Sequence, residues 1–285
     1  MQRSRVLSSI FIVLSLAWLS PIATGEDGVY ILEKTKGLHR IGNTPAVDVP
    51  SPMDTIVDFK VSQDGRGIYL LDESGLIVSQ GAGSQLKGVE VNDGIARRLA
   101  LSRQGYAILD NQGRVHFGGG QAPLDWKIYF GWDIARDLAL APEGNGIVVL
   151  DGMGGLHVQG DLPRYPSPYF GWDIARNVEI APGNRGYYVL DGFGLIHSIG
   201  PIRNFTGTNL GWDIARDLEL TQSGEGYYIL DGLGGLHIGG DALPFSVPSF
   251  ETDVATSLEI SPRPLAELKG KVIGQGTGRS NVPIA

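Results

Sequence analysis

A hexapeptide that recurs at a fixed spacing constrains this chain more than any other feature. The sequence Gly-Trp-Asp-Ile-Ala-Arg begins at Gly131, at Gly171 and at Gly211, so the spacing is 40 residues, twice. A period of this size is typical of solenoids, propellers and tandem arrays. The content of the repeat therefore has to decide among these architectures.

Each repeat contains three β-strand signals and leaves no room for a helix. In the last complete repeat, strand a covers 215–220, strand b covers 226–231 and strand c begins at 236. Strand b is rich in aromatic and β-branched residues, and glycine-rich turns flank it. The segment that leads to the next strand a carries prolines, which sheets tolerate only at an edge. We therefore predict three-stranded units, with room for at most a short fourth strand at the outer edge.

All three strand signals occur six times along the chain. Strand a begins near Ile56, Ala96, Ala135, Ala175, Ala215 and Ala255. Strand b ends at the acids Glu33, Asp72, Asp110, Asp151, Asp191 and Asp231. Strand c begins near Leu38, Ile77, Val115, Leu156, Ile196 and Leu236. This count predicts an all-β fold, a six-bladed β-propeller of ~40-residue repeats.

The first and last strands of the chain predict how the ring closes. The repeats open on a strand b at 28–33 and finish on a strand a at 255–260. Pairing these two segments completes the first blade and leaves no long unpaired edge, whereas an open solenoid needs polar caps. We therefore predict closure by pairing of the C-terminal strand with the first blade.

The rhythm of the repeat is strand, glycine turn, strand ending in an acid, short turn, strand. Over residues 28–261 it resembles the six-bladed propellers of the NHL-repeat and YVTN type. The resemblance is one of architecture, and it implies that strand a lines a central channel. The resemblance also suggests one class of activity for comparison, since some six-bladed propellers are hydrolases or lactonases with one metal ion in the channel.

The two ends of the chain differ from the repeats. Arg3 and Arg5 precede an apolar run from Val6 to Leu19, and small residues follow at 23–25, which is the pattern of a secretory signal peptide. The run is shorter than the about 20 residues that span a bilayer. We expect a signal peptide at 1–25, the propeller at 26–261 and a flexible C-terminal extension at 262–285. The protein would then be secreted or periplasmic, with no stable membrane span after signal removal.

Composition excludes several classes of partner and site. The formal net charge is −8, and removal of residues 1–25 takes away two arginines and no acid, so nucleic acid is a poor partner. The absence of cysteine excludes disulfides and thiolate metal sites. We expect a monomer, and no cofactor apart from the calcium ion considered below.

The histidines share one position of the repeat, six residues after the acid of strand b. They are His39, His116, His157, His197 and His237, with Val78 in the remaining blade. Copies on different blades lie too far apart to share one metal ion at bonds of about 2 Å. We therefore expect a structural role, in which each histidine bonds to a turn aspartate or a backbone carbonyl of its own blade.

The Trp-Asp pairs of the hexapeptide are candidate binding residues. They are Trp132, Trp172 and Trp212 with Asp133, Asp173 and Asp213. A flat indole beside a carboxylate is a surface on which a sugar ring can stack, and burial between blades is the alternative for so large a side chain. For the aspartates the alternatives are a cap that accepts backbone N–H bonds and a ring of acids at one mouth of the channel.

Charged residues also recur within strand a. Asp58, Asp137 and Asp217 share one position, and Glu179, Glu219 and Glu259 share another that Lys60 occupies in the second blade. Oxygen ligands suit calcium, which makes Asp58, Glu179, Glu219 and Glu259 candidate metal ligands, and a water-filled channel is the alternative. Four blades place an arginine beside this acidic set, for which we expect ion pairs between blades: Arg97, Arg136, Arg176 and Arg216.

Two functions fit these features. The first is an exported, non-enzymatic binding or scaffold module that presents a propeller face to a protein or glycan. The even repetition of the motifs favours it, because an active site is asymmetric. The alternative is a metal-dependent hydrolase or lactonase with one cation in the channel, which needs a cluster of acids that breaks the symmetry. The fold does not choose between them, since propellers support many unrelated activities.

Overall fold

The computed structural model describes residues 28–34, 37–47, 55–81, 83 and 85–262. This part of the chain forms 18 β-strands and one short 3-10 turn, Pro182–Asn184. The strands make six antiparallel sheets of three strands each, so the predicted all-β, six-bladed propeller is confirmed. Within the described ranges, no helix has the length and apolar character needed to cross a membrane.

Strands a, b and c become the inner, middle and outer strands of each blade. The inner strands are β3 (Ile56–Val61), β6 (Ala96–Leu101), β9 (Ala135–Leu140), β12 (Ala175–Ile180), β15 (Ala215–Leu220) and β18 (Ala255–Ser261). The middle strands are β1 (Gly28–Glu33), β4 (Gly67–Asp72), β7 (Tyr106–Asp110), β10 (Gly146–Asp151), β13 (Tyr187–Asp191) and β16 (Tyr227–Asp231). The outer strands are β2 (Leu38–Gly42), β5 (Ile77–Gly81), β8 (Val115–Gly118), β11 (Leu156–Gly160), β14 (Ile196–Ile199) and β17 (Leu236–Gly239).

The C-terminal strand completes the first blade. β18 pairs antiparallel with β1, and Val29 lies opposite Ile260. β1 in turn pairs with β2, so blade 1 is assembled from both ends of the repeat region. This confirms the predicted closure. The segments 1–25 and 263–285 lie outside the described residues, and the domain boundaries at 25 and 261 stay predictions.

The blades pack around a ring of inner strands. Neighbouring inner strands contact each other in the closed order β18, β3, β6, β9, β12, β15 and back to β18. The middle strands are buried on both faces, which explains why they read as continuous apolar runs rather than alternating ones. Apolar clusters join adjacent blades, as where Leu190 of blade 5 packs with Leu218 and Ile229 of blade 6. Such burial stabilises a fold by about 25 cal/mol per Å² of apolar area.

The proline-rich connecting segments add no regular fourth strand to the described blades. Each sheet stops at its third strand in the part of the chain that the structure describes. Beyond β14 one isolated antiparallel bridge joins Leu195 to Gly207. The prediction of at most a short fourth strand at the outer edge is therefore confirmed.

Candidate functional site at the tryptophan face

The loops that lead into the inner strands of blades 4, 5 and 6 carry exposed aromatic side chains on one face of the ring. Trp132, Trp172 and Trp212 are 53%, 51% and 54% exposed. We call the face at which the inner strands begin the tryptophan face. The indoles are therefore half-exposed at the surface, and the alternative of burial between blades is wrong.

Two tyrosines extend this aromatic surface. Tyr129 and Tyr169 precede Trp132 and Trp172 by three residues and are 54% and 69% exposed. The Trp172 ring also leans on Phe193 of its own blade, with 6.0 Å between the ring centroids. We call the set Trp132, Trp172, Trp212, Tyr129 and Tyr169 the aromatic crescent. The tyrosines were not among the predicted binding residues, although a tyrosine three residues before the tryptophan in two of the three copies was a usable signal.

The aspartates beside the tryptophans bind arginines of the preceding blade. Nε of Arg136 donates to Asp173 at 3.0 Å, and Nε of Arg176 donates to Asp213 at 3.2 Å. In both pairs Nη2 donates to the second carboxylate oxygen. We call these bidentate pairs inter-blade clasps, and Arg216 forms the same clasp with Asp253.

The clasps confirm the predicted ion pairs between blades. Within the described residues, side chains rather than backbone N–H groups donate to these carboxylates, so the cap interpretation is wrong. Burial raises the pKa of Asp173, but the guanidinium groups of Arg136 and Arg176 outweigh it and hold this pKa below its usual value. Asp173 is oriented by arginines of two blades, Arg136 and Arg176, and Asp213 by Arg176 and Arg216.

Glycines after the middle strands make room for the clasps. A Cβ at Gly152 would collide with the carboxylate of Asp173, and a Cβ at Gly192 would collide with that of Asp213. Any larger side chain there would push the aspartate of the next blade off its arginine. The glycine that follows the strand b acid is therefore part of the contact between blades.

Arginines outnumber acids at the mouth of the channel on the tryptophan face, where Glu73 and Asp173 are the acids of the cavity wall. A cavity of about 600 Å³ opens there, and its walls include Arg97, Arg136, Arg176 and Arg216. Of the clasp aspartates only Asp173 reaches the cavity wall. The expected ring of acids at this mouth is therefore wrong, because the acids lie behind the guanidinium groups that they bind.

Deeper in the ring, buried aspartates link neighbouring blades. Oδ2 of Asp58, of Asp137 and of Asp217 accepts the backbone N–H of the next inner strand, from Leu99, Val178 and Leu258, at 2.8, 2.8 and 2.7 Å. The preceding blade supplies a second contact to each aspartate, from Ser257, Arg98 and Asn177 respectively. Burial raises the pKa of Asp137 to about 7, although the charge of Arg98 opposes the rise. These carboxylate oxygens are therefore used in contacts between blades.

The glutamates of the channel surround a lysine. Lys60 Nζ contacts Glu259 and lies 3.5 Å from Oε1 of Glu219. Burial raises the pKa of Glu179 to about 8, with Lys60 opposing and nearby acids adding to the shift. Among the described residues, no group of three or more histidines or acids is placed to hold a metal ion. Lys60 thus supplies a positive charge among the candidate metal ligands, and calcium binding stays a prediction.

Four of the five histidines make the predicted bond to the aspartate of their own blade, His116 at 3.4 Å, whereas Nε2 of His39 is buried without a hydrogen-bond partner among the described residues and lies 3.8 Å from Oε2 of Glu33. Nε2 of His157, His197 and His237 lies 2.9, 2.8 and 2.7 Å from Oδ2 of the aspartate that ends the middle strand of the same blade. The other oxygen of Asp151 accepts two backbone N–H groups of the following turn. Burial raises the pKa of Asp151, but these bonds and His157 outweigh it and lower the pKa below its usual value.

Comparison with known proteins shows the fold and no closer relationship. No family model matches the chain, and no curated protein matches it. The structure is similar to a chain in the crystal structure of a nidogen/laminin complex, with a TM-score of 0.54 and 11% identity over 82% of this chain and 98% of that one.

A second similar chain comes from the crystal structure of the mitotic checkpoint complex, with a TM-score of 0.53 and 12% identity over 80% of this chain and 75% of that one. Both neighbours are β-propeller proteins. At these identities the likeness is one of fold, and a propeller fold does not determine an activity.

Proposed function

We propose that the protein is an exported, monomeric, non-enzymatic binding module that presents its tryptophan face to a protein partner. The observation that carries this proposal is the aromatic crescent, in which tryptophans at one position of three successive blades are each about half-exposed. Large apolar side chains grouped on a surface mark interaction sites more often than single exposed ones do.

The residue types on this face favour a protein over a glycan. Tryptophan, tyrosine and arginine are the residues most enriched among those that dominate protein-protein binding energy. Sugar recognition beside an indole needs acceptors for hydroxyl groups, yet both oxygens of Asp173 and of Asp213 already accept bonds from arginines. An apolar patch on a protein partner would complement the crescent.

The known propellers support the same proposal by analogy only. The two similar chains were both solved within assemblies that are named as complexes. The channel metal belongs to the hydrolase alternative. That alternative needs convergent acids, whereas Asp58 is occupied by Ser257 and Leu99 and Glu259 is occupied by Lys60.

Substitution of the crescent tests the proposal. The protein and a variant with Trp132, Trp172 and Trp212 replaced by alanine are used as baits in the exported fraction of the source cells, and captured proteins are quantified by mass spectrometry. We expect one partner to be lost from the variant by at least about tenfold, because a single hot-spot residue is worth about 2 kcal/mol or more. Direct titration of that purified partner then has to reproduce the loss.

Leu243→Ala is the matched control, since Leu243 is an apolar residue that is 50% exposed and lies beyond the C-terminal end of β17. Partner binding that survives the triple substitution, or that falls equally in the control, overturns the proposal. A glycan array on which binding depends on the same tryptophans would assign the face to a sugar. Export is tested separately by sequencing the N-terminus of the exported protein, which we expect near residue 26.

A further inference from the structure

Blade 3 departs from the repeat at the mouth of the channel. β6 begins Ala96-Arg97-Arg98, whereas β9 and β15 begin Ala-Arg-Asp. Gly94 also stands three residues before Arg97, at the position where blades 4, 5 and 6 have the clasp aspartate. Blade 3 therefore adds a second arginine and, at this position, lacks the acid of its own blade that binds the arginine in blades 4, 5 and 6.

In the regular blades the arginine donors are fully used. Arg216 donates from Nε and Nη2 to Asp253 of the next blade, and from Nη1 to Asp213 and to the carbonyl of Ala215. Arg136 and Arg176 repeat this pattern. An anion in the cavity would have to displace protein acceptors in order to bind these three side chains.

Arg97 and Arg98 have donors to spare. Arg97 uses Nη2 alone, which donates to both oxygens of Asp133 at 2.8 and 2.7 Å. Its Nε is buried and has no partner within the described ranges. The nearest contact of Arg98 is to Oδ1 of Asp137, 3.6 Å from Nε, and its two Nη atoms donate to no described residue. Nη1 of Arg97 and the two Nη atoms of Arg98 thus have no acceptor among the described residues, whereas the buried Nε of Arg97 is out of reach of a ligand.

The surroundings of these arginines suit an amphipathic ligand. Arg97, Arg98, Val57 and Ile95 line the same cavity, and Ile95 is 47% exposed. Burial lowers the pKa of Arg97, and the nearby charges of Arg136 and Arg98 lower it further while Asp133 opposes them. A negative charge beside Arg97 would relieve this crowding of like charges. Arg98 already faces the carboxylates of Asp58, Asp217 and Asp137, which hold its pKa above its usual value although burial opposes them. A volume of about 600 Å³ lies within the range of about 300–1,000 Å³ typical of small-molecule sites.

We propose that the channel mouth beside blade 3 binds a small organic acid, whose oxyanion is held by Arg97 and Arg98 and whose apolar body lies on Val57 and Ile95. The planar guanidinium fork matches carboxylate and phosphate oxygens in paired, charge-assisted hydrogen bonds. The site is independent of the aromatic crescent, so it does not rest on the proposed protein partner.

Calorimetric titration of the full chain with hexanoate and hexyl phosphate tests this site, with hexanamide as the uncharged control probe. We expect one molar equivalent of either anion to bind and hexanamide to bind at least about tenfold more weakly, a difference of about 1.4 kcal/mol. The preference between the two anions distinguishes a carboxylate ligand from a phosphate ligand.

Arg97→Gln should weaken hexanoate binding about tenfold or more, and Arg98→Gln should have a similar effect. Arg216→Gln is the matched control, because it removes the same charge from the same cavity but from a side chain whose donors are occupied; we expect a loss below about threefold. Circular dichroism and thermal melts establish that each variant is folded. If Arg97→Gln fails to fold, Arg97→Lys keeps the charge and removes the fork, and it should also weaken binding.

Absence of anion binding, equal binding of hexanamide, or equal losses in Arg97→Gln and Arg216→Gln would overturn the proposal. None of these outcomes involves the tryptophans. Failure of the anion site and failure of the crescent are therefore distinguishable.

Discussion

Blades 4 to 6 and blades 1 to 3 carry different residues at the channel mouth. In blades 4, 5 and 6 each inner strand carries an arginine that is clasped by aspartates of two blades. In blades 1, 2 and 3 the corresponding residues are Thr256, Val57 and Arg97. The regular half therefore closes its polar groups on itself, whereas the irregular half leaves N–H donors open to the cavity.

The difference teaches where binding can reside in a repeat protein. Ion pairs as exposed as the clasps contribute only about 0–1 kcal/mol each. We infer that their main effect is to orient the loops that carry the tryptophans, which gives the regular half a repeated display surface. A site for a small ligand needs local asymmetry, and blade 3 supplies it.

The largest predicted effect comes from the strand that joins the two halves. Deleting residues 255–261 removes the partner of β1, exposes a buried edge and opens the ring between blade 6 and blade 1. We expect loss of the cooperative thermal transition or conversion to oligomers, measured by melting and light scattering. A chain that ends at residue 262 keeps the strand and is the control. A monomer of unchanged stability without residues 255–261 would refute the closure.

A smaller effect should follow from the channel acids. The pKa values of Asp137 and Glu179 are raised to about 7 and about 8, so both acids hold protons in the folded state that the unfolded chain releases. Their contribution is present in full below about pH 4 and is lost as the pH rises to about 8, because the unfolded state then binds fewer protons. Between about pH 5 and 8 the free energy of unfolding should therefore fall with increasing pH.

Glu179→Gln should flatten this dependence, since the amide stays neutral in both states. One proton gives a slope of up to about 1.4 kcal/mol per pH unit, and we expect the variant to be the more stable protein at pH 8 by about 1–3 kcal/mol. Urea unfolding at several pH values measures the effect. Glu251→Gln, which removes an exposed carboxylate, is the control. Parallel pH profiles for the protein and the Glu179 variant would contradict the assignment of a raised pKa.

The smallest predicted effect separates the two halves directly. Arg176→Met removes a clasp and should lower the free energy of unfolding by about 0.5–1 kcal/mol, the upper part of the range for surface ion pairs. Arg97→Met should cost less, because only one nitrogen of Arg97 is bonded. Urea unfolding at low and high salt checks both values, and added salt should reduce the first. Equal costs would remove the distinction between the two halves.

The sequence predicted the strands and the contacts within a blade better than the surface. The predicted starts of strands a and c coincide with those of the structure, and the bonds between histidines and aspartates within blades were predicted correctly. The sequence did not predict whether Trp172 is exposed, because an indole beside an aspartate can be either buried between blades or exposed at the surface. The cap and acid-ring interpretations of Asp173 failed because its partner, Arg136, lies 37 residues away in another blade.

The proposed metal site shows the same limit. Asp58 and Glu259 are separated by most of the chain, and their real partners, Ser257 and Lys60, adjoin them only once the ring has closed. A list of acids on strand a therefore predicts the charge of the channel and not the donors that neutralise it.

The 40-residue period, the alternation of strands and turns and the displaced first and last strands determined that this chain closes into six blades. Each of these can be identified in the sequence without knowing which residues meet in space. Only the tertiary structure decided which groups at the channel and its mouth are satisfied and which are free, because the deciding contacts, such as Arg136 to Asp173 and Lys60 to Glu259, cross between blades. Lys60 between the glutamates and the open donors of Arg97 and Arg98 are consequences of that packing.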